Sequence, residues 1–204
     1  MSGRVISFID RFRRSESSDD PDRPDAPLIE RFQKGDRDAF SVLYARHYER
    51  VLRVVWRMVG GRAEAEDITQ DVFIRVFHAL PNFETRARFS TWLYRIAVNA
   101  SLDYLKSGRR RFEKAADEDG FERVRGDTAD PLTSLDAARR RALVSEAVSR
   151  LPEKYRVVIV LRDIEERPYE EIREITGLPV TTLKMRAIRG REMLARLVRR
   201  MVEP

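Results

Sequence analysis

Trp92, Arg95, Asn99 and Asp103 recur at spacings of 3, 4 and 4 in the stretch FSTWLYRIAVNASLDYLKSGRRR, residues 89–111. On a helix, at about 100° per residue, they form one narrow stripe. Leu93, Ile96, Ala97, Ala100 and Tyr104 cluster elsewhere, and Val98, Leu102 and Leu105 widen that apolar arc. The stripe runs on into Lys106, Arg109, Arg110 and Arg111. A ring, an amide and cations in one line are the groups that hold a single strand of nucleic acid. The ring stacks on a base, the amide bonds a base edge, and the cations meet phosphate. A competing reading puts Trp92 in a core at a helix end and leaves the basic run as a solvated C-terminus favoured by the helix dipole. This stretch alone leaves both open.

A second set lies in EEIREITGLPVTTLKMRAIRGREML, residues 170–194. A short helix, a Gly turn and a longer helix make the pattern of a helix-turn-helix. Leu183, Ala187, Gly190, Leu194 and Leu197 fall on the face that turns inward, and Lys184, Met185, Ile188, Arg189, Glu192 and Arg196 fall on the other. Cations reach guanine acceptors or phosphates, and Met or Ile reaches a thymine methyl, so this outer face suits a major groove. A helical hairpin with a polar outer face is the plainer alternative; the Gly-turn spacing and the arginines favour DNA.

Other chemistry is not expected. His47 and His78 have no cysteine or carboxylate cluster beside them in the pattern, and no Gly-rich phosphate loop occurs. The chain has no cysteine, which excludes a disulfide framework and a zinc–thiolate site. We expect no catalytic residue, no metal, no cofactor and no small-molecule substrate.

The elements that must carry these residues are helices. Gly and Pro number nine each in 204 residues, 42% of residues are apolar and 36% are charged, a composition of small, surface-rich helical units. No apolar run reaches the length of a membrane span, and no secretory signal is visible, so a cytoplasmic location is expected. Charge divides the chain. Residues 28–111 carry 16 basic and 10 acidic side chains, and residues 138–204 carry the same. Residues 112–137 carry 3 and 8. The expected architecture is all-α: a disordered extension over 1–27, a basic helical domain over 28–111, an acidic flexible linker over 112–137, and a second basic domain over 138–204. Basic blocks suggest a polyanionic partner. In the first domain a helix over about 63–79 turns Ile68, Val72, Val76 and Phe77 inward and Asp67, Gln70, Asp71, Ile74, Arg75 and His78 outward. Ile74 within that polar face hints at a protein partner.

Three blocks carry a resemblance to the extracytoplasmic-function (ECF) sigma factors of bacterial RNA polymerase. AEDITQDVFIRVF (65–77) resembles the family's polymerase-binding helix, FSTWLYRIAVNASLDYLKSGRR (89–110) its promoter-melting segment, and YEEIREITGLPVTTLKMRAIRGREML (169–194) its C-terminal helix-turn-helix. The resemblance implies a protein that binds core polymerase and directs promoter-specific initiation. It reads −35 duplex and captures the melted −10 non-template strand. Asp67, Gln70, Asp71 and Ile74 would meet the polymerase, whose β′ clamp helices and β flap are the implied contacts. Phe83, Arg86, Arg88 and Phe89, with Trp92, Arg95, Asn99, Arg109 and Arg110, would hold the −10 strand. Thr182, Lys184, Met185, Ile188 and Arg189 would read the −35 element. An anti-sigma factor is the implied regulator. The sequence departs from the family at Thr181, where many members have Gly, and at Met185 and Ile188, so promoter preference does not transfer. The alternative is a stand-alone helix-turn-helix regulator that binds duplex DNA without polymerase.

Overall fold

The computed structural model describes residues 25–84, 88–116 and 135–202, with side-chain surroundings left out for 109–141. The described residues form eight α-helices and no strand. In chain order these are α1 (Ala26–Gln33), α2 (Asp38–Val59), α3 (Arg62–Ala79), α4 (Phe89–Ala116), α5 (Leu135–Ser149), α6 (Glu153–Ile159), α7 (Tyr169–Thr176) and α8 (Val180–Val202). A 3₁₀ turn, Leu80–Asn82, follows α3, and a π turn, Val160–Ile164, continues α6.

Helices α1 to α4 pack around one apolar core. Leu43, Val51 and Val55 of α2, Ile68, Val72 and Val76 of α3, and Leu93 and Ala97 of α4 are buried there together. Phe32, Phe40 and Phe77 close one end, with ring centroids 5.0–5.6 Å apart. Each large side chain fully buried in this way contributes about 1.5–3 kcal/mol relative to exposure. Helix α1 begins at Ala26, two residues ahead of the expected Leu28. Pro27 sits in its first turn, where a missing N–H costs nothing. Helix α4 runs to Ala116, five residues past the boundary expected at Arg111. Residues 1–24 and 117–134, most of the expected extension and linker, lie outside the described residues.

In the C-terminal bundle, Gly177 at φ 71° closes α7 and turns the chain into α8, a left-handed conformation that glycine adopts without a Cβ penalty. Gly190 lets α8 lie directly on α6: a Cβ there would meet Ile159 Cγ1 at 2.8 Å. The π turn was not legible in the periodicity. It carries the buried Asp163, which accepts two hydrogen bonds from Arg191 of α8 at 2.6 and 2.9 Å.

The two bundles are not separate. Val54 and Met58 of α2 and Tyr94 and Val98 of α4 share a second apolar core with Val144, Val148, Val158, Leu161 and Ile172. Helix α4 therefore has three faces: one toward its own bundle, one toward α7, and the exposed stripe. Polar contacts edge the seam. Arg57 donates to Glu165 at 2.7 Å and Thr91 to Glu171 at 3.0 Å. Arg167 lies over the Tyr94 ring at 4.2 Å and donates to Glu171 at 2.7 Å. The buried Arg156 guanidinium donates to the carbonyl oxygens of Met58, Ser149 and Leu151. Burial, and then the nearby Glu165 charge, push the Tyr94 phenol up to about 12, so it stays neutral in the seam.

Candidate nucleic-acid interface

The stripe on α4 is exposed at Arg95, Asn99 and Lys106. Arg88, Arg95, Asn99 and Asp103 are all solvent-facing, and Trp92 is half-buried. One part of the Trp92 indole packs and the rest faces solvent. It packs on Phe83 and Phe89, at centroid distances of 4.8 and 5.9 Å, and those two rings meet edge-on at 5.9 Å. Phe83 and Phe89 are themselves buried, at 8% and 5% exposure. They form the wall behind Trp92, so the outward surface beside them belongs to Trp92, Arg88, Arg95 and Asn99. Arg86 lies outside the described residues. Arg109 and Arg110 lie on the later turns of α4, with side chains outside the description.

Sequence reasoning missed what holds this wall in place. Gln33 of α1 donates to the carbonyl oxygens of Leu80 and Phe83 at 3.1 and 3.0 Å and fixes the loop before α4. His47, buried on α2, meets the Phe89 ring edge-on at 5.3 Å. On its other side its Nε2 pairs with Asp25 at 2.9 Å, and Asp25 also accepts from Arg46 at 2.6 Å. Burial works to raise the Asp25 carboxyl, but His47 and then Arg46 hold it below the ordinary carboxylate value. Asp25 falls in the stretch expected to be a disordered extension. Only its three-dimensional neighbours disclose its role.

On α3, Asp67, Gln70, Asp71, Arg75 and His78 face solvent, and Ile74 is 56% exposed. The opposite side of that helix is buried. This face points away from the core as a largely polar surface with one apolar residue at its centre.

On α8, Leu183, Ala187, Gly190 and Leu194 are buried, and Leu197 is half-buried. Lys184, Met185, Ile188 and Arg189 are exposed, and Thr182 is half-buried. Met185 and Ile188 show about half their surface, 50% and 49%, an apolar exposure that suits contact with a base methyl. Lys184 Nζ sits 5.9 Å from the centre of the Tyr169 ring, whose vicinity it shares with Arg162 at 4.9 Å. An open groove of about 400 Å³ runs between α6 and the start of α8, lined by Lys154, Tyr155, Thr181, Thr182, Met185, Arg186 and Arg189. Lys154 and Arg186 were not expected from the helix-turn-helix pattern. Lys154 lies outside it on α6, and only packing brings it beside the recognition helix. Among the described residues no group of His, Asp or Glu side chains could hold a metal ion, and no helix is long and apolar enough to cross a membrane.

Residues 43–111 match the family Sigma-70 region 2, and residues 141–194 match Sigma-70, region 4. The chain is 35% identical over 177 residues to the ECF RNA polymerase sigma factor SigW of Bacillus subtilis, covering 84% of this chain and 95% of that protein. It is 35% identical over 177 residues to the ECF RNA polymerase sigma-E factor of Escherichia coli K12, covering 83% and 92%. Among solved structures, CnrH in complex with the cytosolic domain of CnrY is similar at TM-score 0.62 and 27% identity, covering 85% of this chain and 96% of that one. RpoE of Bartonella quintana, solved with the anti-sigma factor NepR, shares the fold at TM-score 0.64 and 22% identity, covering 78% and 96%. With a basic recognition helix, an aromatic-backed polar stripe and both sigma regions in order along one chain, the protein belongs to the ECF sigma factor family.

Proposed function

We propose a division of labour among three exposed faces of this sigma factor. The α3 face, Asp67, Gln70, Asp71 and Ile74, docks on core RNA polymerase. The α4 stripe receives the melted −10 strand, with Trp92 offering a ring for stacking, Asn99 a base-edge partner, and Arg88 and Arg95 charge for phosphate. Lys184, Met185, Ile188 and Arg189 of α8 read the −35 duplex. Phe83 and Phe89 act from beneath as the wall that sets the Trp92 ring. The observation that carries this reading is the exposed Arg95–Asn99 line beside a ring held on a buried aromatic base, because such a surface suits unstacked bases and has little use in a duplex-only reader. The protein has no reaction of its own in this scheme. Binding energy opens the DNA, each stacked base contributing about 1–3 kcal/mol. It works where the polymerase works, in the cytoplasm, and an anti-sigma factor is its regulator, as NepR is named for the Bartonella protein.

Run-off transcription with purified core polymerase on a promoter library tests the scheme. A promoter-dependent product that needs this chain is expected. Sequence-specific duplex binding by the chain alone, with no product in the presence of core polymerase, would favour a stand-alone helix-turn-helix regulator.

A further inference from the structure

Helix α1 is tied at both ends to the aromatic wall behind Trp92. At its C-terminal end, Gln33 Nε2 donates to the carbonyl oxygens of Leu80 and Phe83 at 3.1 and 3.0 Å, and the Pro81 oxygen lies at 3.5 Å. These acceptors are 47 to 50 residues away in sequence. A glutamine amide nitrogen carries two N–H groups, so the two shorter bonds use its whole donor capacity. Just ahead of the N-terminal end, Asp25 holds His47, and His47 meets the Phe89 ring edge-on at 5.3 Å. The buried Ile29 and Phe32 seat the helix between these ties.

The two ties act on different parts of the wall. Asp25 and His47 back a ring, whereas Gln33 grips backbone. The 3₁₀ turn Leu80–Asn82 ends at Phe83, whose φ of −70° and ψ of 120° take it out of the helical ladder. Carbonyl groups at a helix end lack ladder partners and take side-chain donors instead. The Phe83 N–H already donates to Leu80 O at 3.1 Å. Gln33 adds a second donor to that oxygen and one to the Phe83 oxygen, so the Phe83 backbone is held on both sides of its Cα. A fixed Cα fixes where the ring stands, 4.8 Å from the Trp92 ring and 5.9 Å from the Phe89 ring. Gln33 itself is exposed. It adds little to the core, and what it does supply is the position of Phe83.

We propose that Gln33 is a positioning residue for capture of the −10 strand: its amide locks the Leu80–Phe83 turn, which sets the Phe83 ring and, through it, the half-exposed indole of Trp92 before DNA arrives. The inference rests on the reading of the α4 stripe as the −10 strand face. The gain is preorganisation. A ring that is already ordered loses less freedom when a base stacks on it. Gln33 acts through Phe83 and Trp92 and needs no contact with the strand.

Gln33→Met tests this, because methionine keeps the length of the side chain and removes both donors. The position is exposed, so the melting temperature should stay within about 2 °C of wild type. The first readout is the indole itself. The chain has two tryptophans, and in a Trp56→Phe background all indole emission comes from Trp92. Adding Gln33→Met should shift that emission to the red and increase its quenching by acrylamide. Unchanged emission and quenching would overturn the clamp.

The second readout is a mutant cycle in the holoenzyme with core polymerase. The probe is the single-stranded non-template −10 oligonucleotide of a promoter that the run-off library selects. Gln33→Met should weaken strand binding about fivefold and leave affinity for core polymerase unchanged. In a Trp92→Ala background the same substitution should have no further effect. Equal losses in both backgrounds would overturn the proposal, since a residue that touches the strand on its own adds its effect to that of Trp92. Wild-type strand affinity in Gln33→Met would overturn it as well. If the wild-type holoenzyme itself binds no −10 strand, the sigma reading fails instead, and the two failures stay distinct.

Discussion

His47 is held between Asp25 and Phe89: its Nε2 is 2.9 Å from the Asp25 carboxylate, and its ring meets the Phe89 ring at 5.3 Å. The residue just ahead of α1 is thereby coupled to the wall behind Trp92. Asp25→Asn should destabilise the fold by about 1–3 kcal/mol, the range for hydrogen bonds to charged groups. The native carboxyl lies below its ordinary value, so its contribution is present above the unfolded value near pH 4. It is lost as the pH falls through the lower folded value. Urea midpoints of wild type and Asp25→Asn should differ by a constant amount at neutral pH and converge below about pH 4. Parallel curves down to about pH 2 would refute the assignment.

Trp92 packs on Phe83 at 4.8 Å yet keeps part of its indole in solvent. Trp92→Ala should weaken binding of a −10 single strand by the holoenzyme by about 1–3 kcal/mol, the value of one base–aromatic stack. Trp92→Phe should recover part of this. Asn99→Ala should slow open-complex formation more than it weakens binding of closed duplex. Equal impairment in a permanganate-reactivity assay and a duplex gel shift would remove Asn99 from base recognition.

Lys154 and Arg186 line the groove beside the recognition helix. A phosphate contact changes affinity without changing sequence preference. Lys154→Gln should therefore weaken −35 duplex binding equally on cognate and altered sites, and should reduce the salt dependence by about one unit of slope. Lys184→Ala and Arg189→Ala should instead reduce discrimination between −35 sequences, by about 1–3 kcal/mol for each base-edge interaction removed. Filter binding across a salt series separates the two behaviours.

The exposed face of α3 makes a different forecast. Ile74→Arg adds charge to a residue that is 56% exposed, so thermal stability should stay within about 0.5 kcal/mol of wild type. Binding to core polymerase, read by native gel or anisotropy, should drop clearly. Intact core binding would move the polymerase contact elsewhere.

Gly190→Ala tests the close approach of α8 to α6. The new Cβ would meet Ile159 Cγ1 at 2.8 Å and must push it aside. Overpacking of this kind costs about 1–3 kcal/mol, which should outweigh alanine's better helix propensity. A raised melting temperature would show that Ile159 moves freely.

Much of the architecture was legible from periodicity. The inward residues of α3 and α8 repeat at helical spacing, and the Gly177 turn of the C-terminal half carries its own backbone chemistry. The outward residues of both helices follow from the same arithmetic, since a side chain not needed inside is left to solvent. That is why the outward face of α8 and the polar face of α3 could be written down from spacing alone.

What periodicity could not carry was the partner of each apolar face. Val98 and Leu102 read as a widening of one arc on α4, yet Val98, with Tyr94, belongs to a second core with helices more than forty residues away. Asp25 read as part of a polar extension and is a buried-edge partner of His47. Lys154 read as one surface lysine among many and lies beside the recognition helix. The physical reason is common to all three. Helical spacing is a local property, set by about 3.6 residues per turn, and so the sequence by itself determined which side chains share a face, which regions are basic, and which sigma regions they resemble. Which faces meet is settled by burial and charge pairing across long separations, as between Arg57 and Glu165. Only the tertiary structure decided that the two DNA-reading halves of this chain close on each other.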